Sequence, residues 1–149
     1  MNVKNTFNNI INTEQLFSSL PLRLIAGLIF TAHGAQKLFA WFGGYGLQGT
    51  GQWMESIGLA PGYLMALMAG SAEFFGGLLL IIGVLTRPTS FVLAITMIVA
   101  IVSVHLENGL FMSNNGYEFA LALLAISISL IMSGAGKLSI DNFLSTRLG

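Results

Sequence analysis

The sequence predicts an all-α integral membrane protein, a four-helix bundle with short interfacial helices, built as one domain over residues 1–149. Three observations predict it. Hydrophobic residues make up 54% of the chain and charged residues 8%, against about 25% charged in a soluble domain. The apolar residues gather in blocks, residues 20–42, 62–85, 88–105 and 117–133, of a length suited to bilayer-crossing helices. Between the blocks lie segments rich in Gly, Pro and Asn, which end helices.

The first block, LPLRLIAGLIFTAHGAQKLFAWF, is apolar yet carries Arg23, His33, Gln36 and Lys37. Polar groups are costly in hydrocarbon and therefore face protein or a wet cavity. Ser18 or Ser19 is expected to cap this helix, with Pro21 in its first turn. Trp41 and Phe42 close it at the level of a membrane interface. The next segment, GGYGLQGTGQ, reads as a glycine loop, followed by a short surface or re-entrant helix in QWMESIGLAPG that ends at Gly58 and Pro61. That short helix is placed to cover the outer end of the bundle.

In the second span, Glu73 sits near the middle, and Gly70, Gly76 and Gly77 share its face with Ala66 and Ala69. Small residues let helices approach closely in lipid, so Glu73 is expected to point inward. Thr86 is expected to cap the third span, which runs to His105. The fourth opens with Tyr117 and Glu118, and Ala122, Ala125, Ser129 and Ser133 continue its expected inner stripe. After SGAGK, Ser139 and Asp141 open a short amphipathic helix with Ile140, Phe143 and Leu144. At the N-terminus, Phe7, Ile10 and Ile11 have the spacing of a surface helix, with a flexible tail as the alternative. That stretch is too polar for a cleavable signal, so the first helix is expected to stay attached.

Charge decides the orientation. With an even number of spans, Lys4, Arg23, Arg87, Lys137 and Arg147 fall on the side of the termini, and Lys37 toward the other. The positive-inside rule then places both termini in the cytoplasm. The same topology brings His33, Lys37, Glu73, His105 and Glu118 into the outer half of the bundle, with Gln36 and Tyr117 as further hydrogen-bonding groups. Each has a plainer reading. Lys37 can snorkel to outer headgroups, His105 can be an interfacial cap, Glu118 can serve the helix terminus, and Glu73 can form a structural salt bridge. His33 can simply join helices, while Arg23 and Arg87 suit inner-face headgroup contacts.

Composition excludes some classes of function. Six basic and six acidic side chains balance, unlike the basic surface of a nucleic-acid binder. Without cysteine there is no disulfide, thiolate metal site or thiol relay in this chain, so redox chemistry requires a bound cofactor or a partner. Two histidines and two glutamates suit iron, manganese or zinc, but the sequence lacks the spacings of known metal motifs, and no metal ligand is assigned. A quinone fits better. Its ring needs apolar walls, expected from Trp41, Phe42, Phe74 and Phe75, with donors or proton carriers at its oxygens. His33, Lys37 and Glu73 are the candidate catalytic residues, and Gln36, His105, Tyr117 and Glu118 complete the candidate binding set. The alternative is a non-enzymatic small-molecule carrier or membrane scaffold.

The segments RLIAGLIFTAHGAQKLF, AEFFGGLLLIIGVLTRP, NNGYEFALALLAI and SGAGKLSID, in that order, resemble the DoxX family of small bacterial membrane proteins over residues 21–141. The matching positions include Arg23, His33, Lys37, Glu73, Arg87, Tyr117, Glu118, Ser139 and Asp141. The resemblance implies four membrane helices, a bacterial inner-membrane location and an oxidoreductase label. One related branch is associated with thiosulfate oxidation coupled to quinone reduction, another with oxidative-stress defence. Sulfur chemistry in this cysteine-free chain would need another subunit. Membrane lipid is the expected surrounding, and a redox partner subunit and a homodimer both stay open.

Overall fold

The computed structural model describes residues 17–148, so the expected surface helix around Phe7, Ile10 and Ile11 lies outside the described residues. The fold is all-α. Its helices are α1 (Ser19–Phe39), α2 (Gly46–Ser56), α3 (Gly62–Ile82), α4 (Thr86–Ala100), α5 (Glu118–Ser133) and α6 (Ile140–Leu148). Beyond Ala100, α4 runs on without a break through a π turn, Ile101–His105, and a 3-10 turn, Leu106–Asn108.

Two of these elements are long and apolar enough to cross a membrane: α3, with 21 residues and mean hydropathy 1.9, and Thr86–Asn108, with 23 residues and mean hydropathy 2.2. Much of their surface faces outward, and what it presents is apolar. Phe91, Val92, Ile95, Ile98 and Val102 are all exposed along α4 and its continuation. An apolar face of this extent suits lipid rather than water, and the chain is a membrane-associated helical protein.

The tightest packing is between antiparallel α1 and α3, and glycine makes it possible. A Cβ on Gly27 would lie 2.7 Å from the Gly77 carbonyl oxygen, and one on Gly34 would lie 2.6 Å from the Phe74 Cα. Gly70 takes Leu38 and Lys37 against its backbone in the same way. Such close approach maximises van der Waals contact where lipid offers no hydrophobic drive. α3 then meets α4 through Gly76 against Leu93, and α4 pairs with α5. Phe30, Leu80, Leu93, Leu123 and Leu130 fill the core where these helices meet.

Several elements differ from the sequence expectation. α1 stops at Phe39, short of Phe42, because Ala40 turns left-handed at φ 59°. α3 ends at Ile82 under a left-handed Gly83. The glycine run expected as a loop is helical from Gly46. There, contact outweighs the weak helix propensity of glycine: a Cβ on Gly51 would come within 2.9 Å of the Tyr63 Cα, so a glycine helix fits where a bulkier one does not. The buried stripe of α5 is Ala120, Leu123, Ser127 and Leu130, while Ala122 and Ala125 face outward.

The end of the bundle where α3 finishes is closed by charges that cap helices across the chain. Arg23, expected at the headgroups, is fully buried. Its Nη1 donates to the Leu80 and Ile81 carbonyls at 3.1 and 3.3 Å, and its Nη2 to that of Leu138 at 3.1 Å. It therefore adds donors to carbonyls of the last turn of α3, where N–H groups of the helix run out. Arg87 likewise donates to Ile131 in the last turn of α5. At the start of α4 it is the buried Asp141, rather than Thr86, that accepts from the backbone N–H groups, those of Leu85 at 2.8 Å and Thr86 at 2.9 Å. No cap comes from Ser18 or Ser19. Ser139 does cap α6, accepting from the Asn142 N–H at 3.1 Å.

Asp141→Ala removes both charge-assisted bonds and should lower stability by about 3 kcal/mol, with Asp141→Asn recovering part of the loss. Thermal unfolding of the purified protein in detergent checks this; an unchanged midpoint for Asp141→Ala would contradict it.

Candidate functional site

Lys37 lies in the last turn of α1, whereas Glu73 lies about 16 Å along α3 from its start by helical rise. The two meet: Lys37 Nζ is 2.6 Å from a Glu73 carboxylate oxygen. α1 must therefore stop well short of the N-terminal end of α3. Helix α2 takes up the space, packing on the first turns of α3, where the Glu55 carboxylate accepts the Gly62 N–H. This arrangement leaves a cavity of about 920 Å³ beneath α2.

α1 contributes His33, Gln36 and Lys37 to the cavity wall, α2 contributes Thr50, Trp53 and Met54, α3 contributes Ala69 and Glu73, and α4 contributes Val99, Val104 and His105. A smaller lobe of about 240 Å³ shares His33, Lys37, Glu73 and His105 and reaches Phe119 and Leu123 of α5. Glu73 is nearly sealed, with its side chain 4% exposed, while that of Lys37 is 23% exposed. The ion pair thus has a dry end and a wet end. His33 is exposed into the cavity, its ring 6.0 Å from that of Phe119. Gln36 Nε2 donates to the Phe42 carbonyl at 3.3 Å, and His105 Nδ1 lies 2.8 Å from that of Asn115.

His33, Gln36, Lys37, Glu73 and His105 therefore share one cavity. Tyr117 and Glu118 line neither lobe. Glu118 folds back over its own loop and accepts from the Met112 N–H at 2.6 Å, and the Tyr117 backbone N–H donates to Gly109 at 3.1 Å. The apolar wall also differs from expectation. Phe39, Trp41, Phe42, Phe74 and Phe75 form a chain of tilted and edge-on ring contacts outside the cavity, at centroid separations of 5.1–6.5 Å. The wall is instead built by Trp53, Met54, Leu59, Val99 and Val104. Of the α2 residues, Thr50 and Met54 carried a legible signal, being four apart in sequence and both buried. Among the described residues, no three His, Asp or Glu side chains converge as a metal site.

The model of the DoxX family matches residues 18–106, which include α1 through α4 and the Lys37–Glu73 pair but not the SGAGKLSID segment. A Bacillus subtilis protein named "Putative oxidoreductase CatD" is 39% identical over 89% of this chain and 91% of its own length. An uncharacterised membrane protein of Mycobacterium tuberculosis, Rv3486, is 32% identical over 93% of this chain and 88% of its own. The Escherichia coli inner membrane protein YqjF is 31% identical over 86% of this chain and 92% of its own. No solved structure matches the chain.

The unequal exposure of the pair predicts unequal costs. Lys37→Met strands a buried carboxylate and should cost about 3 kcal/mol. Glu73→Gln leaves a lysine that can turn to water and should cost about 1 kcal/mol. The double variant should resemble Glu73→Gln alone. Denaturant unfolding of all three checks the order, and equal losses for the two single variants would contradict it.

Proposed function

The chain belongs to the DoxX family, and from that membership and the cavity around Lys37 and Glu73 we propose a four-span protein of the bacterial inner membrane that binds the ring of a quinone or similar redox lipid as the membrane subunit of an oxidoreductase system. In this reading α1, α3, α4 and α5 are the spans, with both termini cytoplasmic. The distribution of charge supports it: Arg23, Arg87, Lys137 and Arg147 lie toward one end, and Lys37 toward the other.

The observation that carries the reading is the Lys37–Glu73 ion pair on the wall of a cavity inside apolar helices. Intramembrane ionisable groups mark ligand and proton paths more often than they serve packing. The residues present fit a quinone. The volume falls in the range of ligand pockets, about 300–1,000 Å³. Trp53, Met54, Leu59, Val99 and Val104 give an apolar bed for a ring, and Lys37 and His33 give polar groups for its oxygens. A bound quinone would supply the electron exchange that no side chain of this cysteine-free chain provides. Glu73 holds Lys37 in place and can carry a proton at its carboxylate, and α2 shields the pair from bulk water. Below the pair, Phe30, Leu80, Leu93 and Leu130 are at most 1% exposed, a packed layer that favours a binding site over a through-going carrier.

The test is titration of a short-tailed benzoquinone into protein held in lipid nanodiscs, followed by quenching of tryptophan fluorescence. Saturable binding is expected, with affinity falling about tenfold or more in Glu73→Gln and His33→Ala proteins that still fold. Unchanged affinity in both would contradict the assignment.

A further inference from the structure

His105 lines both lobes of the cavity together with the ion pair, and two features of the backbone prepare it. The π turn Ile101–His105 ends on this residue. A π turn inserts an extra residue into a helix, rotating the residues beyond it by about 100°, and such turns gather at functional sites. The second feature is Asn115, held left-handed at φ 60°. Its carbonyl oxygen lies 2.8 Å from His105 Nδ1 and also accepts from Asn108 Nδ2 at 3.4 Å. Asn108 Nδ2 donates as well to the Val104 carbonyl at 3.0 Å, tying the end of α4 to the loop.

A carbonyl oxygen has no proton to give, so His105 Nδ1 must be the protonated nitrogen. In the neutral ring Nε2 then carries a lone pair. The nitrogen left for a ligand is an acceptor. His33, which lines the same cavity, has no carbonyl fixing its proton among the described residues. The cavity thus holds both an ammonium donor at Lys37 and a fixed acceptor at His105. An oxidised quinone ring offers acceptors at both of its oxygens and leaves Nε2 unanswered. A reduced ring carries hydroxyls, which donate to Nε2 and still accept from Lys37.

We propose that His105 is the hydrogen-bond acceptor of the cavity and that, through it, the site selects the reduced, hydroxyl-bearing form of an aromatic redox ring over the oxidised form. The inference rests on the quinone reading and adds to it which redox form is preferred.

Two measurements test it on the full-length protein in nanodiscs. The first titrates a short-tailed benzoquinone and, under anaerobic conditions, its hydroquinone, with tryptophan quenching as the readout. The hydroquinone should bind about 3- to 10-fold tighter, the range of one hydrogen bond, and the ratio of the two affinities should fall to about one in His105→Phe. The second is nitrogen NMR of histidine-labelled protein, which reads the tautomer without any ligand. The Nδ1–H form is expected for His105, and it keeps the test open should His105→Phe fail to fold. Equal affinity for the two forms, or an Nε2–H tautomer at His105, overturns this inference alone. Binding of neither form overturns the quinone reading and this inference with it.

Discussion

A carboxylate placed halfway along an apolar helix has to be answered, and much of this structure depends on how Glu73 is. Its partner, Lys37, belongs to the last turn of α1, and bringing the two within 2.6 Å fixes the relative register of α1 and α3. That register puts Gly27 against Gly77 and Gly34 against Phe74. It also forces α1 to finish while α3 still has several turns to run. Something has to cover those turns, and α2, a helix slim with glycine, does so. The cavity is the space that remains beneath it.

Glu55, Asp141 and Glu118 are used differently. Glu55 accepts at the start of α3, Asp141 at the start of α4 and Glu118 at the Met112–Asn114 turn. Each answers a backbone N–H left open by a helix start, where negative charge is favoured. Arg23 and Arg87 do the complementary work at helix ends. Arg23, Arg87 and Asp141 thereby join segments far apart in sequence, while Glu55 and Glu118 close turns next to themselves. Glu73 stands apart because its partner is a mobile ammonium group rather than the backbone. An ion pair with one dry end and one wet end can change its partner or its proton; a backbone cap cannot do so without loosening the fold.

The apolar blocks of the chain made its long helices legible, and the small residues at 66, 70, 76 and 77 made the packed face of α3 legible. Glu73 was placed by that face, and Lys37 and His33 by their four-residue spacing and a simple up-and-down topology. The features that stayed hidden depended on partners distant in sequence. Nothing local in Asp141 shows that it caps a helix starting at residue 86, and nothing in Arg23 shows that its guanidinium is spent on Leu80, Ile81 and Leu138. The helicity of α2 was hidden for the same reason, since glycine argues for a loop until its neighbour is known. The aromatic residues were misassigned to the cavity because their rotation about α1 and α3 is set by the glycine contacts, which turn Phe74 and Phe75 outward with Trp41.

The central claim is a water-reached cavity around Lys37 and Glu73 that opens on the outer face. The absence of native cysteine makes the direct measurement clean. A single cysteine replacing Ala69, which lines the cavity one turn from Glu73, is exposed to a membrane-impermeant maleimide in right-side-out and in inside-out vesicles. Labelling in right-side-out vesicles, with none in inside-out vesicles until detergent is added, is the predicted result. Labelling only from the inner face, or none from either, would contradict the account.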